Sequence, residues 1–180
     1  MATAGSHARS SSPVWAFVAL LVGAAVAVSL GVYARVHTPS GEPITTLGFE
    51  SMIAMKVWLA TAAGVLAVVQ LLTALAMYTV GGRFLSLTHR TSGTLAVLVS
   101  LPVAYHCLWA VGFGDYDTRV LIHSLAGCLI YGALVTKLLA LHVRRMPGWL
   151  VAVAGSLLLT AVAAATLTSA LWYFTEVGVP

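Results

Sequence analysis

The sequence predicts an all-α integral membrane bundle of five transmembrane helices, and three observations carry that reading. Of 180 residues, 60% are apolar and only 8% are charged, against about 45–50% and 25% in soluble domains. The apolar residues gather in five runs, each at least about as long as the 20 residues a spanning helix needs. The cations then sort by side: Arg9, Arg83, Arg90, Arg144 and Arg145 share one face of a five-span chain. So few charges cannot cover a water-soluble globule, and a disordered chain would be poor in apolar residues. A net charge of +4 here reflects orientation signals and implies no nucleic-acid partner.

The runs cover about 14–34, 51–79, 86–111, 118–143 and 148–174. Pro39, Gly41 and Pro43 follow the first, Gly81-Gly82 the second, Gly112 and Gly114 the third, and Pro147-Gly148 the fourth. These are loop residues. Membrane-barrel strands would instead alternate over about 10 residues. The first run is longer than the core of a secretory signal, and Ser29 and Ala34 make a poor cleavage site, so it reads as an uncleaved anchor. Residues 1–13 read as a disordered cytoplasmic tail, 14–174 as the membrane domain and 175–180 as a short outer tail.

The positive-inside count puts the N-terminus in the cytoplasm and the C-terminus outside, in what we expect to be a bacterial plasma membrane. The acids Glu42, Glu50, Asp115, Asp117 and Glu176 all fall on the outer side, with Arg35 and Arg119. Trp15 and Trp149 mark the inner interface, Trp109 and Trp172 the outer one, with Trp58 slightly deeper. The outer segment 35–50, with His37, reads as a solvated loop. Cys107 and Cys128 lie in apolar runs without metal-ribbon spacing and read as small buried hydrophobes.

Ionisable residues inside a bilayer are functional candidates by default. Four of the six histidines lie on two adjacent spans: His89 and His106 on the third, His123 and His142 on the fourth. The steps of 17 and 19 residues correspond to roughly 25 and 28 Å of antiparallel helix. His89 therefore matches His142 near the inner side, and His106 matches His123 near the outer side. Two imidazoles at one depth on facing helices suit the two axial positions of a b-type haem. The expected cofactors are two haems, an inner one on His89/His142 and an outer one on His106/His123. Zinc and copper sites usually need more protein ligands, and Cys107 diverges from His106 by about 100°. Gly93 and Gly127, four residues after His89 and His123, make room for a macrocycle on one reading and serve helix packing on the other. For a single histidine, a polar residue bonded to a neighbouring helix carbonyl is the better account; four on two adjacent spans, matched in depth, favour ligation.

The segment IHSLAGCLIYGALVTK, from Ile122, resembles the histidine helix of cytochrome b561-type proteins. THRTSGTLAVLVSLPVAYH, from Thr88 to His106, resembles the first ligand helix of ferric-reductase-like membrane domains. The whole chain also resembles a small group of actinobacterial membrane proteins. The cytochrome resemblance covers the third and fourth spans and implies one-electron transfer across the membrane through bis-histidine haems. It further implies cationic partners for the haem propionates: Arg90 and Arg144 inside, Arg119 and Lys56 outside. For each of these, orientation or snorkelling is an equal explanation. Lys137 should either snorkel inward or meet a propionate. Tyr131 is expected near mid-depth between the two levels.

Three function classes follow. The first is the di-haem carrier, a stand-alone electron-transfer protein or a subunit of a membrane oxidoreductase, with a redox protein or quinone as partner. The second is a transporter using the histidines for protons or a metal, against which stand the lack of inverted repeats and of acids within the spans. The third is a haem-free accessory subunit of a larger membrane complex, packed through the small residues of the fifth span.

Overall fold

The structure, a computed structural model, describes residues 13–143 and 146–180. Five helices are long and apolar enough to cross a membrane, and among the described residues there is no strand. We label them α1 (Pro13–Val36), α2 (Met52–Thr79), α3 (Arg83–His106), α4 (Thr118–His142) and α5 (Gly148–Thr166). A π-helical turn extends α3 over Cys107–Val111, and another extends α5 over Leu167–Leu171 before a last turn, Trp172–Glu176. The chain is thus a multi-pass membrane protein. Below, the N-side is the end of the bundle where α1 begins, and the C-side the end where α5 finishes.

The helix ends follow local chemistry. Pro13 opens α1, where its missing N–H costs nothing. The expected tail otherwise lies outside the described residues, as does the 144–145 pair. Ser51 and Asp117 cap α2 and α4, accepting from Ala54 N at 3.0 Å and Val120 N at 2.8 Å. Gly81 and Gly82 both take positive φ, which glycine does without a Cβ clash. The chain therefore reverses within two residues, and α3 starts three residues earlier than the hydropathy suggests.

Around the bundle the order is α1, α4, α5, α2, α3. The α1–α4 contact is the closest approach of backbones: a Cβ on either Gly23 or Gly132 would lie 2.6 Å from the carbonyl oxygen of the other. Without a hydrophobic drive between helices in lipid, such close packing through small residues is what joins them. Thr136 of α4 adds a hydroxyl bond to Ala19 O of α1 at 3.3 Å. On the other side Gln70 of α2 donates to the His89 carbonyl and to Ser92 Oγ of α3. Its amide fills the space a Cβ on Gly93 would need, 3.0 Å from Oε1. α3 and α4 lack the extensive backbone packing that ties each to its other neighbour.

On the C-side, residues 37–51 form a strap over the π turn of α3. Ser40 N and Gly41 N donate to Trp109 O and Ala110 O at 3.2 and 3.1 Å. His37 is not the solvated loop histidine expected from sequence. Its ring stacks between Tyr33 and Trp109, at centroid distances of 5.1 and 4.6 Å. The strap returns onto the bundle, so its one imidazole packs as an aromatic. Arg35 and Asp115 pair at 2.7 Å across the same mouth.

The Gly23–Gly132 contact gives a clean test. Gly23→Ala should lower thermal stability in detergent by about 1–3 kcal/mol, because neither backbone can yield. Gly31→Ala, whose Cβ would sit 3.6 Å from Cys128 Sγ, should change little. Equal effects of the two would mean that the α1–α4 seam tolerates separation.

Candidate functional site

The four intramembrane histidines belong to the two helices that stand apart. Midway along them, Ser100 Oγ of α3 and Tyr131 Oη of α4 are 3.0 Å from each other. This bond sets the register between the helices. Eleven positions toward the N-side from Ser100 lies His89, and eleven from Tyr131 lies His142. Eleven residues make about three turns, roughly 16 Å, with a residual rotation of about 20°. His89 therefore repeats the facing of Ser100, and His142 that of Tyr131, at one level.

The C-side histidines are turned differently. His106 stands six positions from Ser100 and His123 eight from Tyr131, which rotates each by roughly 80–120° off the facing line. His123 accordingly meets α5, with Nδ1 3.4 Å from both the Ala165 carbonyl and the Thr168 hydroxyl. His106 is 2% exposed, just past Pro102, which interrupts the α3 hydrogen bonding. It borders an apolar groove of about 420 Å³ between the strap residues Ile44 and Leu47 and the α3 face of Leu98, Leu101 and Tyr105. The α3 residue that keeps the facing direction on this side is Cys107, whose polar neighbours are His123 of α4 and Lys56 of α2.

All four imidazoles are held through Nδ1. At His106 the partner is Pro102 O, 2.7 Å away, and at His142 it is Leu138 O, 2.8 Å away. A carbonyl only accepts, so Nδ1 donates and Nε2 keeps its lone pair. At His89 the partner is Thr73 Oγ1 of α2 at 2.9 Å; that hydroxyl already donates to Val69 O, so it accepts from the ring. Thr168 likewise donates to Ala164 O at 2.6 Å and faces His123 as an acceptor. Each ring is thus oriented by a bond on Nδ1, as metal-binding histidines are oriented by a bond on the nitrogen that does not ligate. At His106 the free Nε2 is buried and has no hydrogen-bond partner, as is also true of the stacked His37 under the strap.

The remaining sequence candidates fall in different places. Arg119 of α4 is taken up by α5: it donates to Thr168 O at 2.8 Å and lies 3.8 Å over the Trp172 ring. Lys56 is half-buried beside Cys107, and Arg90 is exposed on the N-side. Arg144 lies outside the described residues. A Cβ at Gly127 would meet nothing within 4 Å, whereas Gly93 admits Gln70. Gln70, Thr73 and Thr168 were not among the sequence candidates. Gln70 is the only glutamine of the chain, and an amide inside a bilayer is itself a signal.

Chemically the donor set is two imidazoles per level. Among the described residues no three of His, Cys, Asp and Glu gather as a metal site. Such a pair can serve an iron whose other ligands come from a macrocycle. Both π turns lie on the C-side, one directly after His106 and the other carrying Thr168 beside His123. Single π turns inside α-helices frequently mark functional positions.

Fold and site together define a multi-pass helical membrane protein with intramembrane histidines on two helices that stand apart. The chain belongs to the DUF6529 family, a family of unknown function, whose profile matches residues 15–180. No curated protein and no solved structure matches it.

The register bond is open to measurement. Tyr131→Phe and Ser100→Ala should each destabilise the bundle, with a coupling of about 0.6 kcal/mol in a double-mutant cycle, the usual size for an interhelical bond in lipid. A coupling of zero would place the α3–α4 register elsewhere.

Proposed function

We propose that the protein is a di-haem b-type cytochrome that moves single electrons across a bacterial plasma membrane, with the N-side facing the cytoplasm. The observation that carries this reading is that all four histidines are anchored through Nδ1, the nitrogen opposite the one that would ligate. The buried, unpartnered Nε2 of His106 fits best. Leaving such an atom without hydrogen bond or metal costs about 1–3 kcal/mol. The level and facing of His89 and His142 support an N-side pair. The matched depths of His106 and His123 support a C-side pair, although His106 borders the strap groove and His123 meets α5.

Haem, when bound, supplies the iron couple that accepts and releases one electron at a time. The chain's own residues orient and tune it. Pro102 O, Leu138 O, Thr73 and Thr168 fix the ligand rings and raise their basicity. The bilayer-facing apolar side chains keep water out, and Lys56 places a positive charge beside the C-side pair. Ser100 and Tyr131 hold α3 and α4 together between the two levels. The proposed partners are a quinone or a redox protein at either face.

The reading is tested by the absorption spectrum of the purified protein, reduced minus oxidised. Two low-spin bis-histidine haems per chain are expected. His89→Ala and His142→Ala should each remove one and the same haem, and His106→Ala and His123→Ala the other. Colourless protein from haem-replete cells would overturn the proposal in favour of a haem-free accessory subunit. Loss of one common haem on changing His89 or His106 would overturn the pairing.

A further inference from the structure

The α1–α4 seam closes near mid-span and opens toward the C-side. At Gly23 and Gly132 the two backbones are in contact, whereas two turns further along α1 a Cβ on Gly31 would stand 3.6 Å from Cys128 Sγ, an ordinary contact. Beside this stretch runs a groove of about 730 Å³. Ala27, Gly31 and Arg35 line it from α1, and Leu125, Cys128 and Leu129 from α4. Residues four apart share a helix face, so Ala27 to Arg35 form one continuous wall about 12 Å long. Val28, Val32 and Leu125 stand exposed on its rims. The trough therefore faces the acyl region of the bilayer and not the bundle interior.

The head of the groove is charged and fixed in place. Phe113 N donates to Ala34 O at 2.9 Å, which ties the loop between α3 and α4 to the last turn of α1. Asp115 of that loop meets Arg35 at 2.7 Å, and both side chains are about half exposed. Their bond runs from one guanidinium nitrogen to one carboxylate oxygen. A guanidinium has five N–H donors and a carboxylate two accepting oxygens, so both groups keep capacity to bind. Arg119, also on the C-side, is by contrast held on Thr168 O and over the Trp172 ring. At the end of the span, where lipid headgroups lie, the protein thus presents a cation and an anion side by side above an apolar trough.

We propose that this groove binds one phospholipid with a phosphoethanolamine headgroup. An acyl chain lies along the Ala27–Gly31 wall, the phosphate accepts from the remaining N–H groups of Arg35, and the ammonium donates to Asp115. Arginine suits the phosphate because its fork of donors matches two phosphate oxygens. Charge complementarity selects the head. A phosphoglycerol head brings an anion and no cation for Asp115, and a choline head has no N–H to donate. The glycine at position 31 keeps the floor of the trough low enough for the chain. This site lies on the far side of α4 from the histidine levels of α3 and stands independently of the haem reading.

The test titrates delipidated full-length protein in detergent with phosphatidylethanolamine, phosphatidylglycerol and phosphatidylcholine of identical acyl chains, read by native mass spectrometry. One phosphatidylethanolamine per chain should bind at least about tenfold more tightly than either other lipid, as one charge-assisted contact implies. Arg35→Gln and Asp115→Asn should each abolish that preference, and Arg35→Lys, which keeps the pair, should retain part of it. Gly31→Leu, which fills the trough, should weaken all three lipids together. If the Arg35 and Asp115 variants fail to fold, the ranking on the parent protein and the Gly31→Leu result decide. Equal binding of the three headgroups, or preference for another, overturns the headgroup assignment. Binding that Gly31→Leu leaves unchanged overturns the groove as the site.

Discussion

Inside a bilayer a polar atom can look for its partner only within the protein, and most of this structure follows from that constraint. Gln70 reaches from α2 to the α3 backbone because no water is there to satisfy its amide. Threonine hydroxyls turn back onto carbonyls one turn earlier, at Thr61, Thr73, Thr136 and Thr168. Arg119 lies over an indole and on a backbone carbonyl. Against this thorough pairing, the buried Nε2 atoms of His37 and His106, both without a partner, and the Lys137 ammonium facing Gly155 stand out. They are the places where the chain alone does not complete its own chemistry.

The same constraint explains what the amino-acid sequence discloses. Spans were legible because twenty apolar residues in a row have one use, and their separators are glycines and prolines. Histidine depth was legible by counting, since helix rise is fixed. Partner choice was not. Gly23 and Gly132 look like any other small residues of an apolar run, and only the fold shows that their backbones meet. Gly93 was read either as room beside His89 or as a packing residue, and the structure gives that space to Gln70 of α2.

Rotation was harder still. A uniform helix of 3.6 residues per turn puts His106 about 100° from the facing of His89, and a proline followed by a π turn then alters the local geometry. The sequence reading matched His106 to His123 and set Cys107 aside, and in the structure Cys107 is the residue that approaches His123. His37 failed for a different reason. Its flanking Pro39 and Gly41 signal a loop correctly, but a loop that folds back over the bundle is no longer solvated.

The α1–α4 seam has a consequence for how the chain is made. Thr136 bonds Ala19 across 117 positions of sequence, while α2 and α3, which follow α1, pair with each other. Emerging from the ribosome in order, α1 enters the membrane with its glycine face open to lipid. It waits there while the α2–α3 hairpin inserts, and it finds its partner only when α4 arrives. Biogenesis therefore ends with the closing of two preformed parts, α2–α3 and α1–α4–α5. These two parts meet along α2 and α5, which leaves the histidine-bearing helices α3 and α4 with little backbone packing between them.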